Sequence, residues 1–119
     1  MKLKITNIRD RGDLNKERVV MKVESAGNVG EFLLVQSGYH DNSVTNGIYE
    51  TYWFPDKEVN VGDFVVLYTK SGTDSEKPFK DVKSHFFYLG KKQPIWDAEN
   101  RAAVLMHAPV WESFKPEQF

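Results

Sequence analysis

What most constrains this chain is how little helical periodicity it has. No long window keeps apolar residues at i, i+3, i+4 and i+7, and glycine or proline interrupts most candidate windows. Short runs rich in β-branched and aromatic residues recur instead, bounded by Gly, Asn, Asp and Pro at intervals of about 8 to 12 residues, the spacing of a sandwich of strands. The pattern predicts an all-β fold, a β-sandwich of about seven strands.

Taken in order, Leu3 and Ile5 alternate with Lys2, Lys4 and Thr6, a strand with one wet and one buried face. Glu17 to Glu24 and Phe32 to Val35 give the second and third strands. Ile48 to Phe54 gives the fourth, closed by Pro55, which has no N–H for a ladder. The fifth, Phe64 to Thr69, is apolar on both faces and so belongs in the middle of a sheet. Ser84 to Met106 completes the pattern: an aromatic strand to Leu89, a tight connection at Gly90, an anchor at Ile95-Trp96, a polar turn from Asp97 to Arg101 and a closing strand from Ala102. Two polar stretches, Ser37 to Gly47 and Lys70 to Lys83, are expected as loops. The first carries Tyr39 and a turn-forming Asn46-Gly47 pair. Residues 108–119 form an apolar tail with Val110, Trp111, Phe114 and Phe119, which is expected to dock on a sheet of its own chain or a neighbour.

Charge and composition remove several functions. Sixteen basic residues against seventeen acidic ones leave a net charge of −1, so no global field draws the chain to nucleic acid or acidic membranes. Cysteine is absent, which excludes disulfides, thiol nucleophiles and cysteine-held zinc. No apolar run has the length of a membrane span or signal peptide, and no Asn-x-Ser/Thr acceptor occurs. A cytoplasmic protein is the expectation. Arg11-Gly12-Asp13 is expected as an exposed turn.

Residues able to carry chemistry are scattered. His40, His85 and His107 show no metal-ligand spacing, and alternation puts His85 on a face with Phe87 and Leu89, where a backbone carbonyl is expected to satisfy it. Ser37, Ser43 and Ser84 lack the Gly-x-Ser-x-Gly frame of a nucleophile elbow. No glycine-rich loop leads into a helix to hold phosphate. Asp74 to Glu76 and Asp97 to Glu99 lack the ligand alternation of a calcium loop. These counts predict no catalytic residue, no metal and no cofactor. Lys91, Lys92 and Arg101, near Tyr88 and Trp96, make the best basic cluster and would support weak nucleic-acid binding. Trp53 and Trp96 are expected in the core, which leaves Trp111 as the one candidate platform for a sugar. Candidate binding residues are therefore Trp111 and Phe114 for a protein partner or self-association, Lys91, Lys92 and Arg101 for an anion, and Tyr39 in its loop.

Gly62-Asp63-Phe64-Val65-Val66-Leu67-Tyr68-Thr69 and the passage from His85 to Leu105, with Ile95-Trp96 between its strands, resemble the lamin tail domain. Glu17 to Val23 and Phe54-Pro55 fit the same order, so the likeness covers most of residues 1–107. The family's Asn-x-Gly-Asp turn is replaced here by Asp97-Ala98-Glu99-Asn100-Arg101. The resemblance implies an immunoglobulin-like sandwich that binds or adapts without catalysis, with partners among proteins, DNA and membranes.

Overall fold

A computed structural model describes residues 1–117. Ten strands form among them: β1 (Lys2–Arg9), β2 (Arg18–Ser25), β3 (Gly27–Asn28), β4 (Phe32–His40), β5 (Ser43–Trp53), β6 (Glu58–Val59), β7 (Phe64–Tyr68), β8 (Ser75–Phe79), β9 (Val82–Tyr88) and β10 (Arg101–His107). They make a five-stranded sheet in the order β1-β2-β7-β9-β8, a three-stranded sheet β10-β4-β5, and the short pair β3-β6. The fold is all-β, with ten strands in three sheets where the sequence predicts about seven. The surplus is physical: β3 and β6 are two residues each, and every residue of β8 is exposed, so none of the three carries an apolar signature.

The two expected loops are largely strand. β4 runs on to His40 and β5 begins at Ser43, so Ser37 to Gly47 is mostly hairpin. Its turn is Asp41-Asn42, both at positive φ (51° and 63°) as a tight two-residue hairpin requires, rather than Asn46-Gly47. Similarly, Lys70 to Lys83 contains β8, which pairs antiparallel with β9. The central place expected for the fifth strand is observed, since β7 lies between β2 (antiparallel) and β9 (parallel).

The two larger sheets share one hydrophobic core. Leu3, Val19, Met21, Val23, Val65, Leu67 and Phe87 come from one side, Phe32 and Leu34 from the other, with Phe54, Val59 and Trp96 between. Phe54 meets Phe87 edge-on at 5.2 Å. The Ile95-Trp96 connection joins the layers. Its backbone N–H groups donate to the Glu17 carboxylate just before β2, and the Ile95 carbonyl accepts from the Gln36 amide on β4. Trp96 is buried, as the sequence predicts.

Candidate functional site

Alternation fixes which residues face outward from the three-stranded sheet. Leu34 of β4 and its neighbour Tyr52 of β5 pack on the core, so the residues on either side of them point away from it. The outward set is Leu33, Val35, Ser37 and Tyr39 on β4; Ala102, Val104 and Met106 on β10; and Val44, Ile48, Thr51 and Trp53 on β5. None of these side chains is an acid, a lysine, an arginine or a histidine, so none carries a charge at neutral pH. Tyr39, Val44, Ile48, Trp53 and Met106 are exposed, and the outer edges of β5 and β10 pair with no strand among the described residues. The face carries no charge at neutral pH, with Val35 and Ser37 buried on its central strand and the apolar groups Val44, Ile48, Trp53 and Met106 exposed on the flanking ones.

Trp53 corrects an expectation. The sequence predicts a buried ring, but its neighbours Tyr52 and Phe54 fill the interior and Trp53 is 48% exposed. Its indole N–H donates to the Gly30 carbonyl at 2.7 Å, which holds the ring across the start of β4. The tail leaves β10 with one more ladder bond, Ala108 N–H to the Glu31 carbonyl, after which Pro109 prevents continuation. Trp111 then meets Trp53 edge-on at 5.0 Å, beside a recess of about 300 Å³ walled by Gly30, Pro55 and Asp56. Phe114 is 88% exposed and Val110 equally open, while Phe119 lies outside the described residues. Of the tail's described apolar residues, Trp111 is the one set against the sheet.

The basic cluster divides. Lys91 pairs with Glu50 at 3.2 Å, and Lys92 lines the same recess of about 540 Å³ with Gln93 and Pro94. Arg101 stacks 3.7 Å above the Tyr49 ring. Tyr49 and Glu50 are adjacent on β5, so Lys91 and Arg101 are brought to neighbouring positions, each already engaged. Trp96 is buried and Tyr88 lies on the outward face of the five-stranded sheet, so neither ring joins them.

Ionisable groups also converge at the inner edge of β9. His85 is buried, as expected, yet its partner is the Asp63 carboxylate at 2.8 Å from Nε2, and no backbone carbonyl satisfies it. The Asp63 carboxylate takes that place because Asp63 immediately precedes β7, which runs parallel beside β9 with Phe64 opposite Ser84. Its oxygens also accept the backbone N–H groups of Asn60 and Lys83, each at 3.0 Å. Burial pushes the Asp63 carboxyl up, but the Asn60 N–H, the His85 ring and the Lys83 N–H together hold it below the ordinary carboxylate range. Close by, hydrogen bonds from Lys83 and Lys57, reinforced by their charges, hold Glu76 down to about 2, and Lys83 is raised in return. Burial, with the Asp74 charge, lifts the Tyr52 hydroxyl to about 12.

These groups are not arranged around a reacting centre. Ser84 points to the opposite face of the sheet from His85, His40 pairs with Asp41 in solvent, and His107 stacks on Phe32 at 4.4 Å while bonding Glu31. Among the described residues no three of His, Cys, Asp and Glu form a group that could hold a metal, and no helix is long and apolar enough to cross a membrane.

Fold and surface together define an all-β protein with a charge-free sheet face and a tryptophan pair at its end. No family model matches the chain, and no curated protein matches its sequence. Sequence reasoning missed Trp53 and the face it belongs to. The available signal was alternation along β4 and β10, obscured because both faces of those strands are apolar.

Proposed function

We propose that this chain is a non-enzymatic protein-binding module, an immunoglobulin-like sandwich of the lamin tail type, that uses the outer face of β10-β4-β5 to pair with a second copy of itself. The observation that carries the reading is the absence of any side chain charged at neutral pH from the outward positions of that sheet. The shared core of the two larger sheets and their largely antiparallel pairing support the fold type. Over the seven positions paired in each ladder, the three strands span only about 14 by 23 Å, well short of the roughly 800 Å² that each partner contributes to a stable interface. Trp111 and Phe114 supply the missing apolar area, and a two-fold axis lets each copy offer both sheet and tail.

Light scattering after size exclusion tests this. The full chain is expected to show the mass of two copies at tens of micromolar, and Val104→Glu or the pair Trp111→Ala and Phe114→Ala the mass of one, with folding confirmed by circular dichroism. A full-length monomer at high concentration would end the reading.

The recess between Trp53 and Trp111, with the Asp56 carboxylate at its wall, favours a second reading as a sugar-binding module. Oligosaccharide titrations are then expected to change tryptophan fluorescence in the native chain and to have no effect in Trp111→Ala.

A further inference from the structure

The outward face of the five-stranded sheet has a composition opposite to that of the charge-free face. Val65, Leu67, His85 and Phe87 point into the core, so Phe64, Val66, Tyr68, Phe86 and Tyr88 point out, with Val20 beside them. Tyr68 stacks parallel to Tyr88 at 5.5 Å and lies 6.2 Å from Phe86, while Phe64 meets Phe79 edge-on at 5.8 Å. Cations bracket this aromatic band. Register places Lys4, Lys22, Phe64, Ser84 and Lys77 in one row across the sheet, and Arg9, Arg18, Tyr68 and Tyr88 in another, about 13 Å further along the strands. Lys70 lies 5.0 Å above the Tyr68 ring and Arg18 5.9 Å from it.

Two features make this more than a solvated surface. Lys4 stands directly opposite Lys22, and Arg9 directly opposite Arg18. Like charges facing each other across a ladder destabilise it, so an unligated sheet gains nothing from them. Arg18 is offset by Asp10, but among the described residues Lys4, Arg9, Lys22, Lys70 and Lys77 make no ion pair. Among the described strand residues on this face the one acid is Glu24, at its end, and Asp10 in the turn after β1 is already engaged. The chain as a whole is balanced, with sixteen basic residues against seventeen acidic, so six cations against two acids here means a local excess that the rest of the surface reverses.

We propose that this face binds single-stranded nucleic acid. Lys4, Lys22 and Lys77 hold backbone phosphates along one margin; Arg9, Arg18 and Lys70 do so along the other. Unpaired bases lie between them on Phe64, Tyr68 and Phe86. A base stacked on Tyr68 displaces Lys70 and Arg18 from the ring and frees them for phosphate. The exchange is favourable because base stacking exceeds an exposed cation–ring contact. Duplex presents neither free bases nor a flexible backbone to a flat aromatic sheet, so single strands are preferred. The site is remote from the apolar face of the other sheet and does not depend on its function.

Fluorescence anisotropy with labelled dT12 and U12 at low salt is the test, with a labelled duplex of equal length and vesicles containing anionic lipid as comparisons. At least one single strand is expected to bind, at least tenfold more tightly than duplex, with a log–log salt slope near −4 for about six phosphates. Lys4→Glu with Lys22→Glu should weaken binding tenfold or more without lowering the melting temperature, and Tyr68→Leu should weaken it while leaving the salt slope in place. The proposal is overturned if neither strand binds, if duplex binds equally, if only the vesicles bind, or if the double glutamate variant binds as well as the native chain.

Discussion

Replacing Glu17 by alanine is expected to remove about 3–5 kcal/mol of stability, the largest effect of any single substitution outside the apolar core. Glu17 is wholly buried, and its carboxylate receives four donors: the backbone N–H of Gly12 at 2.9 Å and of Trp96 at 3.1 Å on one oxygen, the Ile95 N–H at 2.9 Å and the Thr69 hydroxyl on the other. Truncation strands all four. Each orphaned donor costs about 1–3 kcal/mol, and the total is reduced because the desolvation penalty of the buried charge disappears with it. Against a total stability of about 5–15 kcal/mol the chain would still fold in the cold, with a melting temperature lowered by about 15 °C. Glu17→Gln should lie between: the Thr69 hydroxyl can turn to accept from the new amide, but Ile95 then faces a donor. Thr69→Val, which removes one donor alone, should cost about 1 kcal/mol. Urea melts that place the three variants in any other order, or a Glu17→Ala loss below about 1 kcal/mol, would show that water replaces the carboxylate and that Ile95-Trp96 is held by packing instead.

The Glu17 clamp also shows where sequence reasoning stops. Trp96 is recognisable as an anchor because a lone large ring between strands has to be buried, and it is. What positions that ring is a pair of backbone amides meeting a carboxylate 78 and 79 residues away, and backbone amides carry no residue-type signal. The same holds at Asp63, whose place in the Gly62-Asp63-Phe64 turn is legible, while its partner His85 lies 22 positions along. Strands with an apolar face were readable throughout, and β7 was placed centrally from Val65 and Leu67 alternating with Phe64, Val66 and Tyr68. β8 was not. As an edge strand it carries charge and Pro78, which protect it from pairing with other chains and also erase the pattern that reveals a strand. Nor does alternation choose a face when both are aromatic: Tyr52 inward and Trp53 outward, or Phe87 inward and Phe86 outward, differ in packing and not in composition.

The expected consequence of the Asp63–His85 pair is acid lability that a single amide substitution removes. A carboxylate only accepts hydrogen bonds, so the His85 Nε2 carries the shared proton, while Nδ1 has no partner among the described residues. Asp63 has a folded pKa held below its ordinary value, so the stability it contributes is fully present above the unfolded carboxylate value near 4 and is lost as pH falls through the folded value. Stability should therefore be level on this account from neutrality down to about pH 5 and decline below about pH 4. Glu76, held down to about 2, titrates in the same acid range, so the comparison belongs in a Glu76→Gln background. There, Asp63→Asn is expected to lose about 2–4 kcal/mol at pH 7, because the amide keeps one acceptor for the Asn60, Lys83 and His85 donors and turns a donor on the others. Its stability should then vary less steeply with pH below 4 than that of the parent. Urea midpoints from pH 2.5 to 7 measure both the offset and the slope. Parallel pH profiles in the two proteins would mean that Asp63 titrates alike folded and unfolded, and that the pair serves to shape the β6–β7 turn without storing acid-sensitive stability.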